Sequence, residues 1–100
     1  MPFNAHIHSP PSSVARLKGI AQFLVQPDPR DPDEWFLLRS TVLSNEQLFA
    51  MLSAAWPAIV GPEPHKFALL HCRTGPNAGV WFHLLPNAEY EPGCHEVVSF

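Results

Sequence analysis

One hundred residues, 46% apolar and 15% charged, are enough for one packed domain and too few for two. Six Lys and Arg against nine Asp and Glu leave a formal net charge of −3, without the basic face that a phosphate backbone requires. No apolar run approaches the roughly 18 to 20 residues of a membrane helix. Neither nucleic acid nor membrane is therefore an expected partner.

The N-terminus lacks the basic start and apolar core of a signal peptide. Two cysteines, Cys72 and Cys94, do not make a disulfide framework. Reduced thiols in a cytoplasm are the expectation that follows.

Taken in chain order, an edge strand is expected over Phe3 to His8, with His6 and His8 on one face because side chains alternate. The prolines of "SPPSS" then interrupt any ladder. "VARLKG" reads either as a helical turn capped by Ser12 or Ser13 and stopped by Gly19, or as the lead-in to a strand. "GIAQFLVQP" alternates, with Ala21, Phe23 and Val25 opposite Ile20, Gln22, Leu24 and Gln26. After the proline-punctuated loop "DPRDPD", "EWFLLRSTVL" alternates again, Phe36, Leu38 and Val42 opposite Trp35, Leu37, Arg39 and Thr41. These two strands should form a hairpin.

The segment "LSNEQLFAMLSAAWP" predicts a helix from Asn45 to Trp56. Ser44 fits an N-cap, Gln47 completes a capping box, and Leu43 and Leu48 stand at staple positions. Leu48, Phe49, Leu52, Ala55 and Trp56 share one side, while Glu46, Gln47, Ala50 and Ser53 share the other. Pro57 should end it, because the residue before a proline avoids helical geometry. "FALLHCR" and "VWFHLL" then read as strands joined by the turn-forming "TGPNAG", and "HEVVSF" as a last strand. The sum is a single α+β domain over 1–100: a small antiparallel sheet of about five strands, in the order β-β-α-β-β-β, on one amphipathic helix.

Chemistry-bearing motifs are sparse. A metal site needs three or four ligands, and His6 and His8 would have to recruit some of His71, His83 and His95. No CxxC, HExxH or CxxH spacing supports this. If Arg73 faces Trp81, His71 and His83 stand about 5 Å apart, whereas a slip of one residue puts them on opposite faces. The plainer reading makes them half-buried strand residues bonded to nearby carbonyls. Cys72 reads as a core thiol and Cys94, beside His95, as the more accessible one; adjacent residues rarely make a nucleophile–base pair. Asp28, Asp31, Asp33 and Glu34 crowd one loop without an EF-hand glycine pattern, so a solvated acidic turn is expected there. Phosphate-binding glycine loops are missing, and no cofactor is expected.

What remains is surface. One helix covers one face of a sheet, and Trp35 and Trp81 fall on the other. Such a face needs loops, a second copy or a partner to cover it. The leading expectation is a non-catalytic protein-binding module, an inhibitor or adaptor acting by surface occlusion. Trp35 and Trp81 would anchor the partner, while Asp28, Asp31, Asp33 and Glu34 steer it. Phage-encoded inhibitors of host defence, of the anti-CRISPR kind, are similar in size, acidity and lack of motifs. The alternative is a small metal-binding protein or metal-dependent enzyme using His6 and His8 with His71, His83 or His95.

Overall fold

The computed structural model describes residues 12–19, 23–61, 67–84, 90–91 and 93–99. The strand expected over Phe3 to His8 lies outside them, with His6 and His8. In chain order come α1 (Ser12–Gly19), β1 (Leu24–Pro27), β2 (Trp35–Arg39), α2 (Asn45–Ala54), α3 (Trp56–Val60), β3 (Ala68–Cys72), β4 (Gly79–His83) and β5 (Cys94–Ser99). The strands form one antiparallel sheet in the order β1-β2-β4-β3-β5. This is the expected α+β class, with more helix than the single expected element.

The helix α2 starts where its cap chemistry dictates. The Gln47 amide donates to the Ser44 hydroxyl at 3.1 Å, and the Ser44 amide donates to Gln47 Oε1 at 2.9 Å. Two otherwise orphaned donors are thus satisfied reciprocally. Leu43 packs partly buried against the core that holds Leu48, as a staple requires. Two differences from expectation follow at the far end. The helix stops at Ala54, and α3 restarts at Trp56 with Pro57 in its first turn, where a missing amide costs nothing. Pro57 therefore ends one helix and opens the next. Gly61 then terminates α3 with a left-handed φ of 61°. Arg16 of α1 leans on that turn: a Cβ at Gly61 would lie 2.7 Å from its guanidinium, which also donates to the Ile59 carbonyl at 3.4 Å. Of the two readings of 14–19, the helix is the one observed.

All three helices pack on one face of the sheet. Val14 and Leu17, Leu48 and Leu52, and Trp56, Ile59 and Val60 close over Phe36, Leu38, Leu69, Val80 and Phe82. Phe23 and Val25 extend the same face, while Leu24 is 67% exposed, as the alternation of the first strand requires. The second strand is shorter than its alternating run; Val42, expected beside Leu38, lies beyond it and is 72% exposed. In the β3–β4 hairpin His71 pairs with Val80 and Ala68 with His83. Residues 71 and 83 thus face opposite sides.

Because Leu52 is fully buried in this core, Leu52→Ala is expected to cost about 2–5 kcal/mol. Ser44→Ala should cost about 1 kcal/mol through the lost cap. Urea denaturation of both variants checks the assignment, and an unchanged midpoint for Leu52→Ala would contradict it.

Candidate functional site

The same alternation that sends Phe36, Leu38, Val80 and Phe82 to the helices sends their neighbours the other way. Trp35 and Leu37 from β2, Ala68, Leu70 and Cys72 from β3, and Trp81 from β4 form a second apolar cluster, joined by Tyr90 and Cys94. No described helix packs on this side. Here the strands bring together the most chemically distinctive residues of the chain.

The centre of the cluster is a stack. Trp35 pairs with His83 across the β2–β4 ladder, and the indole lies flat on the imidazole at 3.8 Å and 8°. Trp81 meets Trp35 nearly perpendicularly at 6.1 Å, and Tyr90 does so at 6.0 Å. Perpendicular and stacked arrangements both suit ring quadrupoles. The Tyr90 hydroxyl lies 3.2 Å from His83 Nδ1, and Glu34 Oε1 lies 3.7 Å from Nε2. A neutral imidazole satisfies both contacts, accepting at Nδ1 and pointing Nε2–H at the carboxylate. Burial holds the His83 pKa below its ordinary value despite the opposing pull of Glu34. Burial likewise raises that of Tyr90, keeping the phenol neutral.

In front of this stack opens a cavity of about 440 Å³. Trp35, Trp81, Tyr90 and the Cys72–Cys94 pair form its apolar wall, and Asp28, Asp31 and Glu91 bring carboxylates to it. A polar chain fixes the rim. Arg30 grips Asp28 through Nε at 3.1 Å and Nη2 at 2.9 Å, and its backbone amide donates to the same carboxylate at 3.1 Å. Arg30 Nη2 also donates to Asn77 Oδ1 at 2.9 Å, and Asn77 Nδ2 donates to both Glu91 oxygens at 3.1 Å. Trp81 is tied in by its Nε1–H, given to the Asn77 carbonyl at 2.8 Å. The Arg30 guanidinium holds the Asp28 carboxyl below its usual range.

Cys72 and Cys94 are joined by a disulfide, which corrects the expectation of reduced thiols, although Cys94 is the more exposed of the two, as expected. The cause is a register shift. His71 pairs with Glu96 but Cys72 with Cys94, so His95 is the extra residue of a β-bulge. Without the bulge Cys72 would face His95. The Arg73 amide donates to the Gly93 carbonyl at 2.9 Å, and the Cys94 amide to the Glu91 carbonyl at 2.9 Å. These bonds and the bridge anchor the segment that carries Tyr90 and Glu91.

Of the six residues proposed as a partner-binding set, Trp35, Trp81, Asp28 and Asp31 line one cavity. Glu34 stands behind its wall against His83, and Asp33 is exposed outside it. Asp28 is not the free carboxylate of a solvated turn; it is buried and bound by Arg30. Sequence reasoning missed Arg30, Asn77, Tyr90 and Glu91. The tyrosine in an otherwise polar, proline-flanked loop was the available hint. The metal set is not assembled from His71 and His83, since His71 faces Phe49 of α2 at 5.4 Å while His83 lies under Trp35. Among the described residues no three His, Cys, Asp or Glu side chains gather to hold a metal ion. Likewise no described helix is long and apolar enough to cross a membrane. Comparison of the chain with family models, curated proteins and solved structures found no match.

The depressed His83 pKa makes a signed prediction. Below about 6.5, the ordinary histidine value, the unfolded chain takes up a proton that folded His83 refuses. Stability contributed by this site should therefore be constant above that pH and fall as pH drops toward the folded value. Urea denaturation at pH 7.5 and pH 5.5 should show a smaller acid loss for His83→Gln than for the parent chain. Equal losses would contradict the buried neutral imidazole.

Proposed function

We propose that the chain is a non-catalytic protein-binding module that receives a side chain of its partner in the cavity between Trp35, Trp81 and Tyr90. The observation that carries this reading is the fixing of the three rings before any ligand arrives. Trp35 is stacked on buried His83, Trp81 is hydrogen-bonded to Asn77, and Tyr90 is held beside His83 in a segment tied down at Cys94. Rigid aromatic walls lose little conformational freedom on binding, which favours affinity. The volume falls in the usual range for ligand pockets.

The chemistry of the lining also supports binding over catalysis. Its two sulfurs are bonded to each other, and its carboxylates at Asp28 and Glu91 are engaged by Arg30 and Asn77. His83, the imidazole described beside the cavity, is 2% exposed and sits behind the wall. No described nucleophile therefore meets a base inside the cavity. An inhibitor or adaptor role suits such a domain, with exposed Asp33 and half-exposed Asp31 and Glu34 left to steer a basic partner. The Cys72–Cys94 bridge bears on location. Disulfides persist in oxidising compartments and are rare in a reducing cytosol. The expectation of a cytoplasmic protein came from the missing signal sequence and carried reduced thiols with it, and the bridge weighs against it.

The test is partner capture by the full, oxidised chain from extracts of its native cells. A Trp35→Ala chain that keeps its circular dichroism spectrum should bind the captured protein more weakly by about 2 kcal/mol, roughly thirtyfold. Should that variant fail to fold, Tyr90→Ala serves in its place. Equal affinity of a folded variant for the same partner would contradict the reading.

A further inference from the structure

We infer that the cavity is built for a quaternary ammonium group, carried by a trimethylated lysine on the partner protein. The inference deepens the protein-binding reading above and rests on it. Three facts about the lining point the same way.

First, three aromatic side chains line the cavity, with Trp81 and Tyr90 both close to perpendicular to Trp35. Rings set at right angles make a box rather than a flat platform. A cation inside it is attracted by the negative ring faces, and tryptophan attracts most strongly.

Second, the lining charge is negative: Asp28, Asp31 and Glu91 face one guanidinium, Arg30. A neutral apolar side chain would gain nothing from that field, and an anion would be repelled.

Third, two of these carboxylates have part of their acceptor capacity already taken, so fewer lone pairs are left for a new N–H donor. Arg30 donates to both oxygens of Asp28, and Asn77 donates to both oxygens of Glu91. A primary ammonium or a guanidinium brings N–H donors that need partners once desolvated, and unpaired buried donors are costly. A trimethylammonium group has no N–H to satisfy. It needs only negative potential and apolar contact, which this cavity supplies. The volume of about 440 Å³ leaves space for the methylated head and part of its alkyl stem.

The experiment is a titration of the full, oxidised, ¹⁵N-labelled chain followed by NMR at its three tryptophan indoles. Trp35 and Trp81 line the cavity, whereas Trp56 is buried among the helices on the opposite face and serves as an internal control. The probes are one short peptide carrying trimethyllysine, the same peptide with unmodified lysine, with arginine, or with a neutral tert-butyl isostere, and tetramethylammonium alone. The trimethyllysine peptide should shift the Trp35 and Trp81 signals and leave Trp56 in place. Its affinity should exceed those of the unmodified and neutral peptides by about tenfold, as expected for a desolvated cation on aromatic faces. Tyr90→Ala should remove most of that response while Trp56 keeps its native position.

Equal binding of the neutral isostere would overturn the cationic assignment, and tighter binding of lysine or arginine would overturn the methylated one. A response to tetramethylammonium with none to the peptide would overturn the protein-borne source. Silence of Trp35 and Trp81 toward every probe would overturn the inference outright. The effect of Trp35→Ala on partner capture would then still decide the broader reading.

Discussion

A sheet with helices on one side leaves the opposite face to be covered by something else, and the site of this protein follows from how that constraint is met. The three helices bury Phe36, Leu38, Leu69, Val80 and Phe82 on one side. Period-two alternation then forces Trp35, Leu37, Leu70, Trp81 and His83 to the other. Their large rings are too bulky to lie bare and too few to form a second complete layer. They shelter one another instead, and the space left between them is the cavity.

The shelter depends on polar groups being matched as well as on apolar burial. His83 is an imidazole whose burial lowers its pKa, with a phenol at Nδ1 and an indole stacked on its face. Asp28 is a buried carboxylate made tolerable by a bidentate arginine two residues away. The bridge from Cys72 to Cys94, 22 residues apart, closes a loop whose constraint on the unfolded chain is worth about 3 kcal/mol in the chain-entropy view. It also pins Tyr90 and Glu91 to the wall. The rigidity of the site and the stability of its half of the domain therefore have the same origin.

Much of the frame was legible from local patterns. Ser44 and Gln47 announced α2, and the placement of Trp35 away from the helices followed from simple alternation. The missing pieces are those decided by register and by distant partners. The β3–β4 pairing turns on a hairpin whose loop admits more than one length, so the pattern alone leaves the separation of His71 from His83 open. The disulfide depends on a single extra residue at His95, which shifts Cys94 by one position along its strand. Pro57 signals a stop to the preceding helix, yet the same fixed φ suits the first turn of a new one. The chain from Arg30 to Asn77 to Glu91 links residues 47 and 14 positions apart, and no periodicity encodes such links. The acidic loop looked solvated because its charges were counted without the arginine among them.

The face away from the helices is open at Trp35, while the tryptophan beneath the helices is closed. Relaxation of tryptophan ring signals by a small neutral nitroxide in solution tests this directly. Trp35 is half-buried at the cavity and Trp56 is 1% exposed. Strong broadening of the Trp35 ring signals is expected, with none for Trp56. Equal protection of the two indoles would mean that the second face is covered, and would contradict that openness.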